Sequence, residues 1–226
     1  MVEIRKQKQG VFPLVDLFIF KLRSFSIGMA SVIVTYLSMF SFFFILSYYV
    51  QFGLHYSVRS TSMVFLPLGI GFFLTSLVSS RIVREWGIVV LKIGALVMGI
   101  SSFLLIGSLH VDAIHLLNVH NILILVVYGC GLGMVTTPLI NVVLSAVPIK
   151  DAGTGSGLLT TFTYLANSLG VALIGILFSA SLGQSLIDAD LTDYVRAFST
   201  SLTVTGGLAF TAFICLCFLL DRKIRN

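Results

Sequence analysis

Six runs of about twenty mainly apolar residues divide this chain, and they set what it can fold into. They occupy 27–50, 61–80, 88–109, 121–147, 156–180 and 199–220. Each is long enough to cross ~30 Å of hydrocarbon as a helix. The runs are continuously apolar, whereas the strands of a membrane barrel are short and alternate. The expected fold class is therefore an all-α membrane protein with six transmembrane helices.

Charge sets the direction of threading. Alternate crossings put Arg5, Lys6, Lys8, Lys21, Arg23, Arg81, Arg84, Lys92, Lys150, Arg222, Lys223 and Arg225 on the starting face, and leave Arg59 and Arg196 opposite. Basic residues collect on the cytoplasmic side, so a multi-pass protein of the cell membrane is expected, with both termini cytoplasmic. Residues 1–25 then read as a cytoplasmic linker with an amphipathic juxtamembrane segment, 26–220 as the bundle and 221–226 as a cytoplasmic tail. In the linker, Val11, Leu14, Val15, Leu17, Phe18 and Phe20 mix with Asp16, Lys21 and Arg23, a pattern suited to a helix lying on the membrane surface.

Composition excludes several classes. With 57% hydrophobic and 10% charged residues and a mean hydropathy of +1.05, the chain has too few polar side chains to cover a soluble domain. The pI near 9.3 does not point to nucleic acid, because the basic residues are scattered at span ends where anionic lipid headgroups attract them. The first 25 residues lack the form of a signal peptide, being interrupted by Pro13, Asp16 and basic residues. Cys130, Cys215 and Cys217 all fall inside spans and read as buried, reduced packing residues. His110, His115 and His120, spaced by five, do not share a helical face, and Asp188, Asp190 and Asp193 lack the spacing of a calcium loop. Both sets read as solvated loop residues; neither a metal site nor a cofactor is expected.

No Asp, Glu, Lys, Arg or His lies in the middle of a span. A charge at the bilayer centre costs ~2.5 to 3.5 kcal/mol and persists mainly where ions or protons pass, so these spans carry no proton relay. The catalytic groups of an intramembrane protease are missing at depth as well, and an enzyme is not expected. What remains is hydroxyl, amide and aromatic chemistry. In the first span Tyr36, Phe40 and Phe43 recur at helical spacing, either as lipid and core contacts or as one aromatic wall of a cavity. In the fifth, Thr160, Tyr164 and Asn167 stack at spacings of three and four, and a stripe of that kind faces protein or water. Asn141 follows Pro138 in the fourth. These seven residues, Tyr36, Phe40, Phe43, Asn141, Thr160, Tyr164 and Asn167, are the candidates for a substrate cavity, with interhelical packing as the alternative for the last four.

Gly129, Gly131 and Gly133 precede Pro138 and allow close helix approach beside a backbone that has lost one hydrogen bond. Gly153, Gly155 and Gly157 enter the fifth span with no strand before them and no Lys-Ser/Thr after, which favours packing or a hinge over a phosphate loop.

Four stretches carry a resemblance: PLVDLFIFKLRSFSIG from Pro13, SYYVQFGLHYSVRSTSMVFLPLGIG from Ser47, GCGLGMVTTPL from Gly129 and VPIKDAGTGSGLLTTFTYLANSLGVALIG from Val147. In this order the chain resembles the C-terminal six-helix half of the fourteen-helix drug/proton antiporter branch of the major facilitator superfamily, the EmrB/QacA type. The loop SSRIVREWG from Ser79 departs from the Asp-Arg-x-Gly loop of that family. The resemblance implies two inverted three-helix repeats, with the first, second, fourth and fifth helices toward a partner half and the third and sixth toward lipid. It also implies export of amphipathic drugs in exchange for protons by the complete protein, the proton-coupling groups belonging to the other half. The expected partners are the lipid bilayer, the missing N-terminal half or a second copy, and an amphipathic small molecule. A non-transporting truncated subunit and a homodimeric uncoupled facilitator are the alternatives.

Overall fold

The computed structural model describes residues 23–111, 114, 116–183 and 189–219. The proposed surface segment before residue 23, Asp188, His115 and the C-terminal tail lie outside the described residues. Six long helices account for nearly all of the rest. They are α1 (Arg23–Tyr48), α2 (Val58–Trp86), α3 (Val89–Val111), α4 (Val119–Leu144), α5 (Ala152–Leu182) and α6 (Leu191–Phe218). A π-helical turn (Tyr49–Gly53) extends α1 and a 3-10 turn (Ile149–Asp151) leads into α5. All six are long and apolar enough to cross a membrane.

Several helices run beyond the apolar windows. α2 continues through Arg81 and Arg84 to Trp86 and stops at Gly87, whose φ of 60° ends the helix. α6 begins at Leu191 rather than at 199. There Asp190 and Asp193 form a reciprocal capping box, and Arg196 sits 3.0 Å from Asp193. The two aspartates expected in a wet loop are thus the start of a helix. Hydropathy could not show this, because a helix projecting out of the membrane is no longer apolar.

Long-range contacts fix the order of packing. α1 packs on α4, α5 and α6, and α4 packs on α1, α2 and α3. Exchanging α1 with α4, α2 with α5 and α3 with α6 reproduces the list of principal pairs. Directions obey the same exchange. Ser76 meets Thr137 and Leu68 meets Gly129, so α2 and α4 are parallel; Leu37 meets Gly170 and Tyr48 meets Phe178, so α1 and α5 are parallel too. Gly28 lies against Val143 while Phe42 stacks on Tyr128, which makes α1 and α4 antiparallel. Two three-helix units of opposite direction therefore interlock through their first helices, the pattern of an inverted repeat.

This arrangement encloses α1 and α4 and leaves α2 and α5 open. The apolar windows of α1 and α4 are 56% and 61% buried, against 28% for both α2 and α5. Glycine makes the closest approaches possible. A Cβ on Gly71, Gly129 or Gly133 would overlap backbone or side-chain atoms of the facing helix, and one on Gly131 would lie 2.8 Å from the Gly94 carbonyl oxygen. Gly155 lies against Val147, whereas open space surrounds Gly153 and Gly157, so packing does not require glycine at those two. Of the cysteines expected to be buried, Cys130 and Cys215 are only partly so and Cys217 is exposed. On a membrane helix an outward position is itself an apolar environment, which the periodicity of soluble helices does not describe.

Candidate functional site: the cavity between α1, α2 and α4

One stripe of α1 faces neither α5 nor α6. Leu37, Ser41, Phe44 and Tyr48 face α5; Ser38 and Tyr49 face α6; Gly28 and Phe42 face α4. At about 100° per residue, Tyr36, Phe40, Phe43 and Ser47 fall together on the remaining side, and all four are half-buried. Tyr36, Phe43 and Ser47 of this stripe border a cavity of about 660 Å3.

Tyr36, Met39, Phe43 and Ser47 of α1 line it, with Phe65, Leu68, Gly69 and Phe72 of α2 and Leu132 and Thr136 of α4. No lining residue is charged. Thr136 donates its hydroxyl to the Leu132 carbonyl at 2.9 Å, as buried threonines in helices do, so its oxygen can still accept from a ligand. Four aromatic rings border the space, and Phe43 meets Phe65 edge to face with centroids 6.2 Å apart. Such walls hold a ligand through contact area and, for a cation, through the ring faces, with few directional bonds.

A second cavity of about 630 Å3 runs along the other side of α2 and shares Phe65 and Gly69 with the first. Gln51 borders it and donates from Nε2 to Ser47 Oγ at 2.6 Å, linking the edges of the two spaces. A Cβ on Gly69 would meet nothing within 4 Å, so this glycine is a gap rather than a contact point.

The seven residues singled out from sequence do not all gather here. Tyr36 and Phe43 line the cavity; Phe40 stands beside it, its ring 6.4 Å from that of Phe43. Asn141 is exposed on the last turns of α4. Thr160 and Tyr164 are exposed on α5, with 67% of Tyr164 open, and border neither cavity. Asn167 is half-buried, and its Oδ1 is enclosed without a hydrogen-bond partner among the described residues. Sequence reasoning overlooked the α2 wall. Phe65, Gly69 and Phe72 are spaced by four and three, a signal as good as that of the α1 stripe but hidden in the unbroken apolar stretch 63–74.

Six membrane-length helices, three of which border an uncharged aromatic cavity, define a multi-pass membrane protein of the transporter kind. Residues 2–171 match the Major Facilitator Superfamily, and the chain belongs to that family. It is similar to a probable actinorhodin transporter of Streptomyces coelicolor, at 29% identity over 90% of this chain and 35% of the relative. It is also similar to the drug efflux pump JefA of Mycobacterium tuberculosis, at 28% identity over 81% of this chain and 35% of the relative. The puromycin resistance protein pur8 of Streptomyces alboniger is 25% identical over 80% of this chain and 36% of its own length. The chain thus spans about a third of each of these relatives.

Proposed function

We propose that this chain is the C-terminal six-helix half of a multidrug exporter of the fourteen-helix drug/proton antiporter branch, with both termini in the cytoplasm. The observation that carries the reading is the cavity against α1. It is large, aromatic and uncharged, and it lies beside α2, which with α5 is the least enclosed of the helices. Relatives named for efflux of, or resistance to, antibiotics support the substrate class. In transporters of this architecture two six-helix halves rock about a midplane site, and one half supplies one wall of the pathway. The open faces of α2 and α5, with Met63, Leu66, Ile70, Phe73, Tyr164 and Leu169 exposed, fit a partner half, or a second copy standing in for it.

Thr160, Tyr164, Asn167 and Asn141 then serve the part of the pathway that closes only when the partner is present. Proton coupling belongs to that partner, since the described spans offer no Asp, Glu, Lys, Arg or His at depth.

The test is equilibrium binding of tetraphenylphosphonium to the full chain in lipid nanodiscs. Tyr36→Ala and Phe43→Ala together are expected to weaken it by about tenfold through lost ring contacts. Unchanged binding would remove the cavity from the site. Proton-driven dye export on co-expression with an N-terminal half, and none from the chain alone, separates the half-transporter from the uncoupled homodimer.

A further inference from the structure

In these helices a serine or threonine commonly gives its proton to the carbonyl one turn earlier, as Ser31 does to Ile27, Thr75 to Gly71 and Thr136 to Leu132. Ser47 does not. It accepts a hydrogen bond from Gln51 Nε2 at 2.6 Å, and among the described residues its own O–H meets no acceptor. A hydroxyl both accepts and donates, so one proton is left over. Ser47 borders the cavity between α1, α2 and α4, where a ligand can take that proton.

The turn that carries Gln51 is fixed from behind. α1 passes into the π-helical turn Tyr49–Gly53, and both ends of this turn are held against α6. Tyr49 stacks on Phe198 with centroids 4.4 Å apart, and a Cβ on Gly53 would lie 3.1 Å from the Tyr194 side chain. Single π-turns within helices are frequent at functional positions. This one sets the Gln51 amide beside Ser47 at the border with the second cavity, and the bond from Nε2 polarises the serine O–H toward donation. We propose that Ser47 is a specificity-determining donor: among amphipathic cations it favours those that carry a carbonyl or another acceptor oxygen on the ring system, with Gln51 as its positioning residue. This rests on the cavity being the drug-binding site. A donor in an aromatic wall discriminates because a ligand without an acceptor displaces water from it and leaves it unmet.

Two phosphonium ions of the same charge and nearly the same size separate the donor from the cavity: (3-acetylphenyl)triphenylphosphonium and (3-ethylphenyl)triphenylphosphonium. Their equilibrium binding to the full chain in lipid nanodiscs, corrected with empty nanodiscs, is read as the ratio of the two Kd values, in which contacts common to both ions cancel. The unmodified chain should hold the acetyl ion about fivefold more tightly. Ser47→Ala should bring the ratio to about one. Gln51→Leu should lower it as well, because the serine then turns back to the Phe43 carbonyl, and Gln51→Glu should do so because the carboxylate accepts the serine proton. Saturable binding of both ions with equal affinity would leave the cavity as a binding site and overturn the donor, whereas no saturable binding of either would overturn both. A ratio that falls with Tyr36→Phe and not with Ser47→Ala would give the role to the phenol and likewise overturn the proposal. Thermal unfolding of each variant reports folding, and should Ser47→Ala misfold, the exposed Gln51→Glu carries the test.

Discussion

Ser76 and Thr137 join α2 to α4 through hydroxyl oxygens 2.9 Å apart, two turns along from the point where Leu68 and Gly129 touch. Hydroxyl pairs and bare glycine backbone are complementary means of holding helices in lipid. No hydrophobic force drives apolar helices together there, so close van der Waals contact and interhelical hydrogen bonds must do so. α2, the most exposed helix along with α5, depends on this seam, and the cavity wall of Phe65 and Phe72 is positioned by it.

Substituting Gly129 should therefore be far more damaging than substituting Gly69. A Cβ on Gly129 overlaps the Leu68 carbonyl, whereas one on Gly69 enters open space. Gly129→Ala is expected to lower stability by about 1–3 kcal/mol through overpacking. Gly69→Ala should be neutral or slightly stabilising. Thermal unfolding in detergent compares the two, and equal melting temperatures would contradict the seam.

The Ser76–Thr137 bond itself should be modest. A double-mutant cycle with Ser76→Ala and Thr137→Val is expected to give a coupling energy of about 0.6 kcal/mol, as for interhelical hydrogen bonds in other membrane bundles. A coupling indistinguishable from zero would mean that glycine packing alone sets the register of α2.

Tyr128 stacks on Phe42 with centroids 3.8 Å apart, and its hydroxyl has no hydrogen-bond partner among the described residues. Its ring, not its oxygen, should matter. Tyr128→Phe is expected to change stability by less than about 1 kcal/mol, because the enclosed hydroxyl makes no bond to lose. Tyr128→Ala should cost about 3–5 kcal/mol through the cavity it leaves. Denaturation of the two variants separates these outcomes; a large loss from Tyr128→Phe would reveal a partner for the phenol.

Membrane orientation has its own test. In a background lacking Cys130, Cys215 and Cys217, Arg59→Cys should react on intact cells with a maleimide that cannot cross membranes, and Arg81→Cys should not. The reverse pattern would place the basic face outside.

Much of the fold was legible because the membrane acts on each segment locally. The apolar windows located all six helices, and their errors fell at the ends: α2 past Arg81, and α6 back to Asp190, where charged residues continue a helix beyond the bilayer. The cavity was legible in part. The stripe of Tyr36, Phe40 and Phe43 stood out because polar or small residues flank it, whereas Phe65, Gly69 and Phe72 were lost in the unbroken apolar stretch 63–74 of α2. The α5 stripe was equally conspicuous, yet Thr160 and Tyr164 border no cavity in this chain.

The amino-acid order alone determined the solvent, the number of crossings and their expected direction, since partition between lipid and water is settled residue by residue along each helix. Tertiary structure decided which helices meet, which glycines are indispensable and which aromatic rings share a cavity. Those outcomes rest on pairs such as Ser76 with Thr137, 61 residues apart, and Ser38 with Thr205, 167 apart. In a bilayer nearly every helix face is apolar, so hydropathy cannot rank one such pairing above another; only backbone approach and hydrogen-bond geometry can.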